Sequence, residues 1–148
     1  MSQRPSDPRD AQRASQQGGP SESIGATVLV VDDNDFVRDL VEAALAPQGY
    51  TVLVASRSAD ALATAAAHPG PLHLLITDVT LGEISGPELA ARLAAARPGL
   101  HVLYISGHPN AGPIEPTPSA GHTAFLQKPF ALTVLAAKVR ELLESEPL

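Results

Sequence analysis

The chain contains no cysteine and no tryptophan. Without thiols it can build no disulfide framework, no thiolate zinc site and no cysteine nucleophile. Aromatic residues are scarce: Phe36, Tyr50, Tyr104, Phe125 and Phe130 are the whole set. That is too few for the stacking platforms of single-strand nucleic-acid binders. Positive charge is also short, with Lys+Arg 10 against Asp+Glu 16 and a formal net charge of −6. A surface built to neutralise nucleic-acid phosphates is therefore not expected. No apolar run approaches the ~20 residues that span a bilayer. The N-terminus lacks the charged-then-apolar order of a signal peptide. Together these absences predict a soluble cytoplasmic protein with neither nucleic acid nor membrane as its partner.

What is present is ordinary globular material: 148 residues, 44% hydrophobic and 18% charged, enough for one domain with a real core. Residues 1–25 stand apart. They are rich in Ser, Gln, Pro and Gly, and Arg4, Arg9 and Arg13 are balanced by Asp7, Asp10 and Glu22. Almost nothing there can pack, so a disordered N-terminal tail is expected over 1–25 and the folded domain over 26–148.

From Thr27 a regular alternation begins. Short β-branched runs at 27–31, 51–55, 72–77, 101–105 and 123–127 read as strands. Helices are expected over 35–48, 59–67, 87–96 and 131–143. The first carries Phe36, Val37, Leu40, Val41, Ala44 and Leu45 on one stripe, Asn34 or Asp33 as its cap, and Pro47 with Gly49 as its stop. Ser58 is the expected cap of the second. In the last, Leu132, Leu135, Val139, Leu142 and Leu143 should face inward. Strands alternating with helices predict an α/β fold, a flavodoxin-like doubly wound parallel sheet of five strands in the order 2-1-3-4-5.

In such a sheet, ligands bind outside the carboxyl ends of the strands. Here the first strand ends in Asp32 and Asp33, the third in Asp78, the fourth in Ser106 and the fifth in Lys128. The first and third strands are neighbours in the proposed order, so the three carboxylates should converge. At ~4 Å and an effective dielectric near 20, each like-charged pair costs about 4 kcal/mol. Lys128 offsets part of that. A hard divalent cation would offset more, and an all-oxygen site selects Mg²⁺ or Mn²⁺. One carboxylate would then be free to attack phosphorus as an aspartyl nucleophile. Any one of these residues alone could be a solvated cap or a turn; the conjunction at four strand ends is what carries the chemistry.

The stretches Val28-Leu29-Val30-Val31-Asp32-Asp33, Leu74-Leu75-Ile76-Thr77-Asp78, Ser85-Gly86-Pro87-Glu88-Leu89, Leu103-Tyr104-Ile105-Ser106-Gly107 and Phe125-Leu126-Gln127-Lys128-Pro129-Phe130 resemble the receiver (response-regulator, chemotaxis-regulator-like) domain of two-component signalling. The wording is closest to receivers of hybrid histidine kinases. The resemblance spans roughly 27–143. It implies that Asp78 is the phosphoacceptor, with Lys128 and Ser106 acting beside it. It implies Mg²⁺ held by Asp32, Asp33, Asp78 and the Thr80 carbonyl. Ser106 and Phe125 fall at the family's switch positions, Thr80 and His108 at positions that tune dephosphorylation, and the Lys128–Pro129 bond where the family has a cis peptide. The implied donor is a histidine kinase or histidine phosphotransfer protein, and the implied readout is contact with a downstream protein. Nothing that looks like an output domain follows the last helix, so the resemblance implies a single-domain regulator or a receiver cut from something larger.

Two departures stand out. Leu81-Gly82 replace the family's Met-Pro after the phosphoacceptor. Pro109, Pro113, Pro116 and Pro118, with Gly112 and Gly121, argue against the family's fourth helix, since an interior proline costs about 3 kcal/mol; a loop is expected across 109–120. The histidines show no metal spacing, and His73 and His101 are expected at strand edges. Two rivals remain at this point. One is a phosphatase with an aspartyl nucleophile of the haloacid-dehalogenase kind, which would need an acid two residues after Asp78, where Thr80 stands. The other is a pseudo-receiver that binds partners without phosphorylation.

Overall fold

The computed structural model of the chain describes residues 25–107 and 120–144. Five strands, β1 (Thr27–Val31), β2 (Thr51–Ala55), β3 (Leu74–Asp78), β4 (His101–Ser106) and β5 (Thr123–Gln127), form one sheet in the order β2-β1-β3-β4-β5. Every pairing is parallel. The helices are α1 (Asp35–Leu45), α2 (Ser58–Ala67), α3 (Gly86–Ala96) and α4 (Leu132–Leu143), with a 3₁₀ turn at Ala46–Gln48. The sheet order is that expected from the sequence, and the strands fall where expected except that β3 starts at Leu74 rather than Leu72 and runs to Asp78, and β4 runs one residue further, to Ser106. The loop expected across 109–120 lies, up to residue 119, outside the described residues, as does His108 and the tail up to residue 24.

The sheet is covered on both faces, which is why β1 is buried at every position and apolar from Val28 onward. Alternate residues of the central strands point to opposite sides. Val28, Val30, Leu74, Ile76, Leu103 and Ile105 meet α1 and α4. Leu29, Val31, Leu75, Val102 and Tyr104 meet α2 and α3. Burying both faces of β1, β3 and β4 stabilises their carboxyl ends in one fixed plane, and those ends carry the polar residues. Among the described residues no helix is long and apolar enough to cross a membrane.

Several local expectations need correction. α1 ends at Leu45, not Gln48; Pro47 enters a 3₁₀ turn that closes on Gly49, whose φ of +96° suits glycine. Phe36 does not join the inward stripe and is 68% exposed. Each step turns a helix by about 100°, which carries Phe36 off the side set by Val37, Val41 and Ala44. Leu132 is 38% exposed, because as the first residue of α4 it has no preceding turn beside it. Ser58 does not cap α2: it is the helix's first residue, and the N-cap position belongs to Arg57, which makes no side-chain cap.

The strand-edge histidines turn out to serve the backbone. At the amino edge of the sheet the Thr27 N–H donates to His73 Nδ1 at 2.9 Å. The His122 N–H donates to His101 Nδ1 at 2.9 Å, and the two rings stack with centroids 5.5 Å apart. Accepting at Nδ1 requires an unprotonated Nδ1. Burial first, and then the charges of His122 and His73, push the His101 pKa below its usual value. The unfolded chain takes up a proton near pH 6.5 while the folded one resists it. This histidine therefore costs stability as pH falls below about 6.5, by no more than about 1.4 kcal/mol per pH unit, and partial exposure reduces that. Urea denaturation of wild type and His101→Asn between pH 7.5 and 5 checks this; the variant is expected to show the shallower loss.

Candidate phosphoryl and metal site

Asp32 leaves β1 directly and is fully buried. Its Oδ1 accepts the Asn34 N–H at 2.9 Å. Asn34 in turn caps α1, its Oδ1 accepting from the Phe36 and Val37 N–H groups at 2.8 and 3.3 Å. The Arg38 guanidinium reaches back from the next turn of α1. Its Nη1 donates to the Asp32 carbonyl at 2.6 Å, and its Nη2 pairs with Asp35. The turn that carries Asp33 is thus tied from both sides, and Asp33 itself is exposed.

Asp78 is the last residue of β3. Its Oδ1 accepts the Thr80 N–H at 3.0 Å, which curls the following loop over the carboxylate. That loop is pressed against the start of α3. The Gly86 N–H donates to the Val79 carbonyl at 2.8 Å, and a Cβ on Gly86 would lie 2.2 Å from the Asp78 carbonyl oxygen. Only glycine fits there. Ser85 caps α3 by accepting the Glu88 N–H at 3.2 Å.

Lys128 follows β5 and its bond to Pro129 is cis. Its backbone N–H donates to the Ser106 carbonyl at 2.7 Å. Its Nζ lies 3.0 Å from Asp32 Oδ2 and 3.1 Å from Asp78 Oδ2. Burial alone would lower the lysine's pKa, but the two hydrogen-bonded carboxylates outweigh it and hold the pKa above the usual value. Burial holds the Asp32 carboxyl above the usual carboxylate range, against the opposing pull of the Asn34 N–H and the Lys128 charge. The cation is secure, and the buried acid is short of compensating charge.

Carboxylate oxygens of Asp32, Asp33 and Asp78 lie within 4.8 Å of one another. The set is oxygen-only and carries more negative than positive charge, the donor chemistry of a hard divalent cation. Ser106 is the last residue of β4 and is 1% exposed. Asp78 pairs in register with Ile105, so Ser106 stands one residue beyond that pair at the same sheet edge. Phe125 lies opposite Tyr104 in β5 and is 40% exposed. The structure thus brings together Asp32, Asp33, Asp78, Thr80, Ser106 and Lys128 at one edge, with Phe125 farther back along its strand. His108 lies outside the described residues. The roles of Arg38 and Gly86 were not foreseen; Gly86 stood inside a quoted stretch, but the only signal was its place just before Pro87.

A sequence model described as the response regulator receiver domain matches residues 28–140. The sensor kinase CckA of Brucella abortus (strain 2308) is 35% identical over 124 residues, 84% of this chain and 13% of CckA. The response regulator receiver protein CpdR of the same strain is 35% identical over 117 residues, 78% of this chain and 94% of CpdR. The chain therefore spans a small part of the first relative and nearly all of the second. The crystal structure of the receiver domain from the hybrid histidine kinase CckA superposes with a TM-score of 0.67 at 31% identity, covering 80% of this chain and all of that one.

The close approach at Gly86 yields a test. Gly86→Ala must push the Asp78 carbonyl or the start of α3 aside, an overpacking that costs about 1–3 kcal/mol. Urea denaturation should show the loss, and backbone amide shifts should move at Val79 and Thr80 more than in β2.

Proposed function

The chain belongs to the response regulator receiver domain family and is a phosphoacceptor receiver domain of two-component signalling; on that premise we propose that Asp78 is the residue that takes the phosphoryl group. The observation that carries this reading is the Lys128 ammonium held between Asp32 and Asp78. Of the two carboxylates that this ammonium touches, Asp78 is the more accessible, 15% exposed in its side chain where Asp32 is fully buried, which supports the assignment. A nucleophile must be reached by its donor; Asp32 cannot be.

The proposed donor is a histidine kinase or a histidine phosphotransfer protein carrying phosphorus on an imidazole nitrogen. One Asp78 carboxylate oxygen forms a bond to phosphorus. The phosphorus–nitrogen bond breaks, its electron pair stays on the imidazole, and that nitrogen takes a proton from solvent. Asp32, Asp33, Asp78 and the Thr80 carbonyl are the groups proposed to hold Mg²⁺, with Mn²⁺ as a substitute. When bound, the ion supplies charge neutralisation for the transferring group. Lys128, paired with Asp78, is proposed to hold it before transfer and to pair with a phosphoryl oxygen after it. The Ser106 hydroxyl is the proposed donor to another phosphoryl oxygen.

Ser106 and Phe125 are the proposed switch. Phosphorylation would bias a two-state element at the β4–β5 edge and change contacts with a downstream protein, in the cytoplasm, with residues 26–148 as the receiver domain and 1–25 as a tail. Thr80 and His108 are proposed to tune dephosphorylation. The phosphatase reading loses ground because Thr80 has no acid to offer and its N–H is engaged with Asp78.

Intact mass spectrometry after incubation with phosphoramidate tests the reading. One phosphoryl adduct is expected, dependent on Mg²⁺, abolished by Asp78→Asn and slowed at least about 100-fold by Lys128→Met, the loss typical of removing an electrostatic stabiliser. Undiminished labelling of Asp78→Asn overturns the acceptor assignment.

A further inference from the structure

We propose that Arg38 is a positioning residue for the divalent-cation site: by gripping the Asp32 carbonyl, it sets the peptide plane from which the Asp33 carboxylate is presented. The inference rests on the Mg²⁺ reading above and concerns a residue outside the carboxylate set.

The geometry is specific. The Asp32 carbonyl and the Asp33 N–H and Cα belong to one rigid planar unit. Arg38 Nη1 holds the oxygen end of that unit at 2.6 Å. The other end of the turn is fixed by the Asn34 N–H on Asp32 Oδ1 and by the Asn34 cap on α1. Asp33 sits between these two anchors, exposed, with its direction set by the plane that Arg38 holds.

A guanidinium suits the task because its planar fork serves two acceptors at once. One arm takes the carbonyl; the other takes Asp35, which keeps the fork in register. The Arg38–Asp35 pair alone explains little. The Asp35 side chain is 84% exposed while that of Arg38 is 18% exposed, and an exposed pair of this kind contributes little. The sheltered contact is the one with the Asp32 carbonyl.

Charge and positioning predict opposite signs. Arg38 is a cation near a cation-binding site. If only its charge mattered, removing it would tighten Mg²⁺ binding. If it positions Asp33, removing it weakens binding, as loss of a group that orients metal ligands commonly does by about 10–100-fold.

Isothermal titration with Mg²⁺ of wild type, Arg38→Met and Arg38→Lys separates the two. Both variants keep the apolar stem; lysine keeps the charge and loses the fork. The expected result is a Kd about 10-fold weaker in both, with lysine no better than methionine, and with Asp33 and Asn34 amide shifts displaced in metal-free protein. Arg38→Gln stands in for a variant that does not fold. Unchanged or tighter binding in Arg38→Met, or full rescue by Arg38→Lys, overturns the inference. A wild type that binds no Mg²⁺ overturns the metal site itself, a failure the variants do not enter.

Discussion

The site depends on one ammonium group shared by two carboxylates. Lys128 Nζ lies about equally far from Asp32 and Asp78, at 3.0 and 3.1 Å, and Asp33 adds a third negative charge within 4.8 Å. Three acids and one base is an unbalanced set. At an effective dielectric near 20, like charges ~4 Å apart repel by about 4 kcal/mol. Burial at Asp32 makes the imbalance worse, as the raised pKa of that carboxyl shows. The arrangement persists because Lys128 bridges Asp32 and Asp78 while the backbone limits how far their strand ends can part. It also leaves the pocket with surplus negative charge, which favours a cation over an anion.

The fold supplies that confinement. The order β2-β1-β3-β4-β5 places β1 beside β3 and β5 across β4 from β3. The two acid-bearing ends are therefore adjacent, and a long lysine side chain spans the remaining gap. Two separate apolar layers clamp the central strands from both faces. Short contacts then fix each turn: Asn34 on Asp32, Arg38 on its carbonyl, Thr80 on Asp78, and Gly86 against the Asp78 backbone. None of these is large in energy, but each removes a direction in which a carboxylate could retreat. Preorganisation of this kind suits phosphoryl transfer, where alignment and charge do most of the work.

Much of this was legible in the residues because strand ends are marked twice. Val28 to Val31 followed by Asp32, and Leu74 to Thr77 followed by Asp78, show both the apolar run and the point where it meets the ligand edge. The strand order and the converging acids follow from that pattern. What stayed hidden has a common cause. Phe36 and Leu132 read as core because periodicity identifies a helix stripe but neither its edge, where Phe36 falls, nor the uncovered helix start, where Leu132 stands. Ser58 read as a cap because its residue type fits, yet the helix begins one residue earlier in register. Arg38 and Gly86 act through contacts with backbone atoms of other turns, and a backbone carbonyl leaves no mark in a sequence. The same holds for His73 and His101, which look like edge residues and in fact accept main-chain N–H groups.

The central claim is that Lys128 holds Asp32 and Asp78 together against their repulsion. A double-mutant cycle on folding stability, run in chelator so that no cation intervenes, measures it directly. Lys128→Met alone is predicted to cost about 3 kcal/mol, since it leaves a buried carboxylate uncompensated. Asp78→Asn in that background no longer breaks the Asp78–Lys128 ion pair, which the first substitution has already removed, so the pair should lose at least about 1 kcal/mol less than the single losses combined. Additivity within about 0.5 kcal/mol would contradict the account.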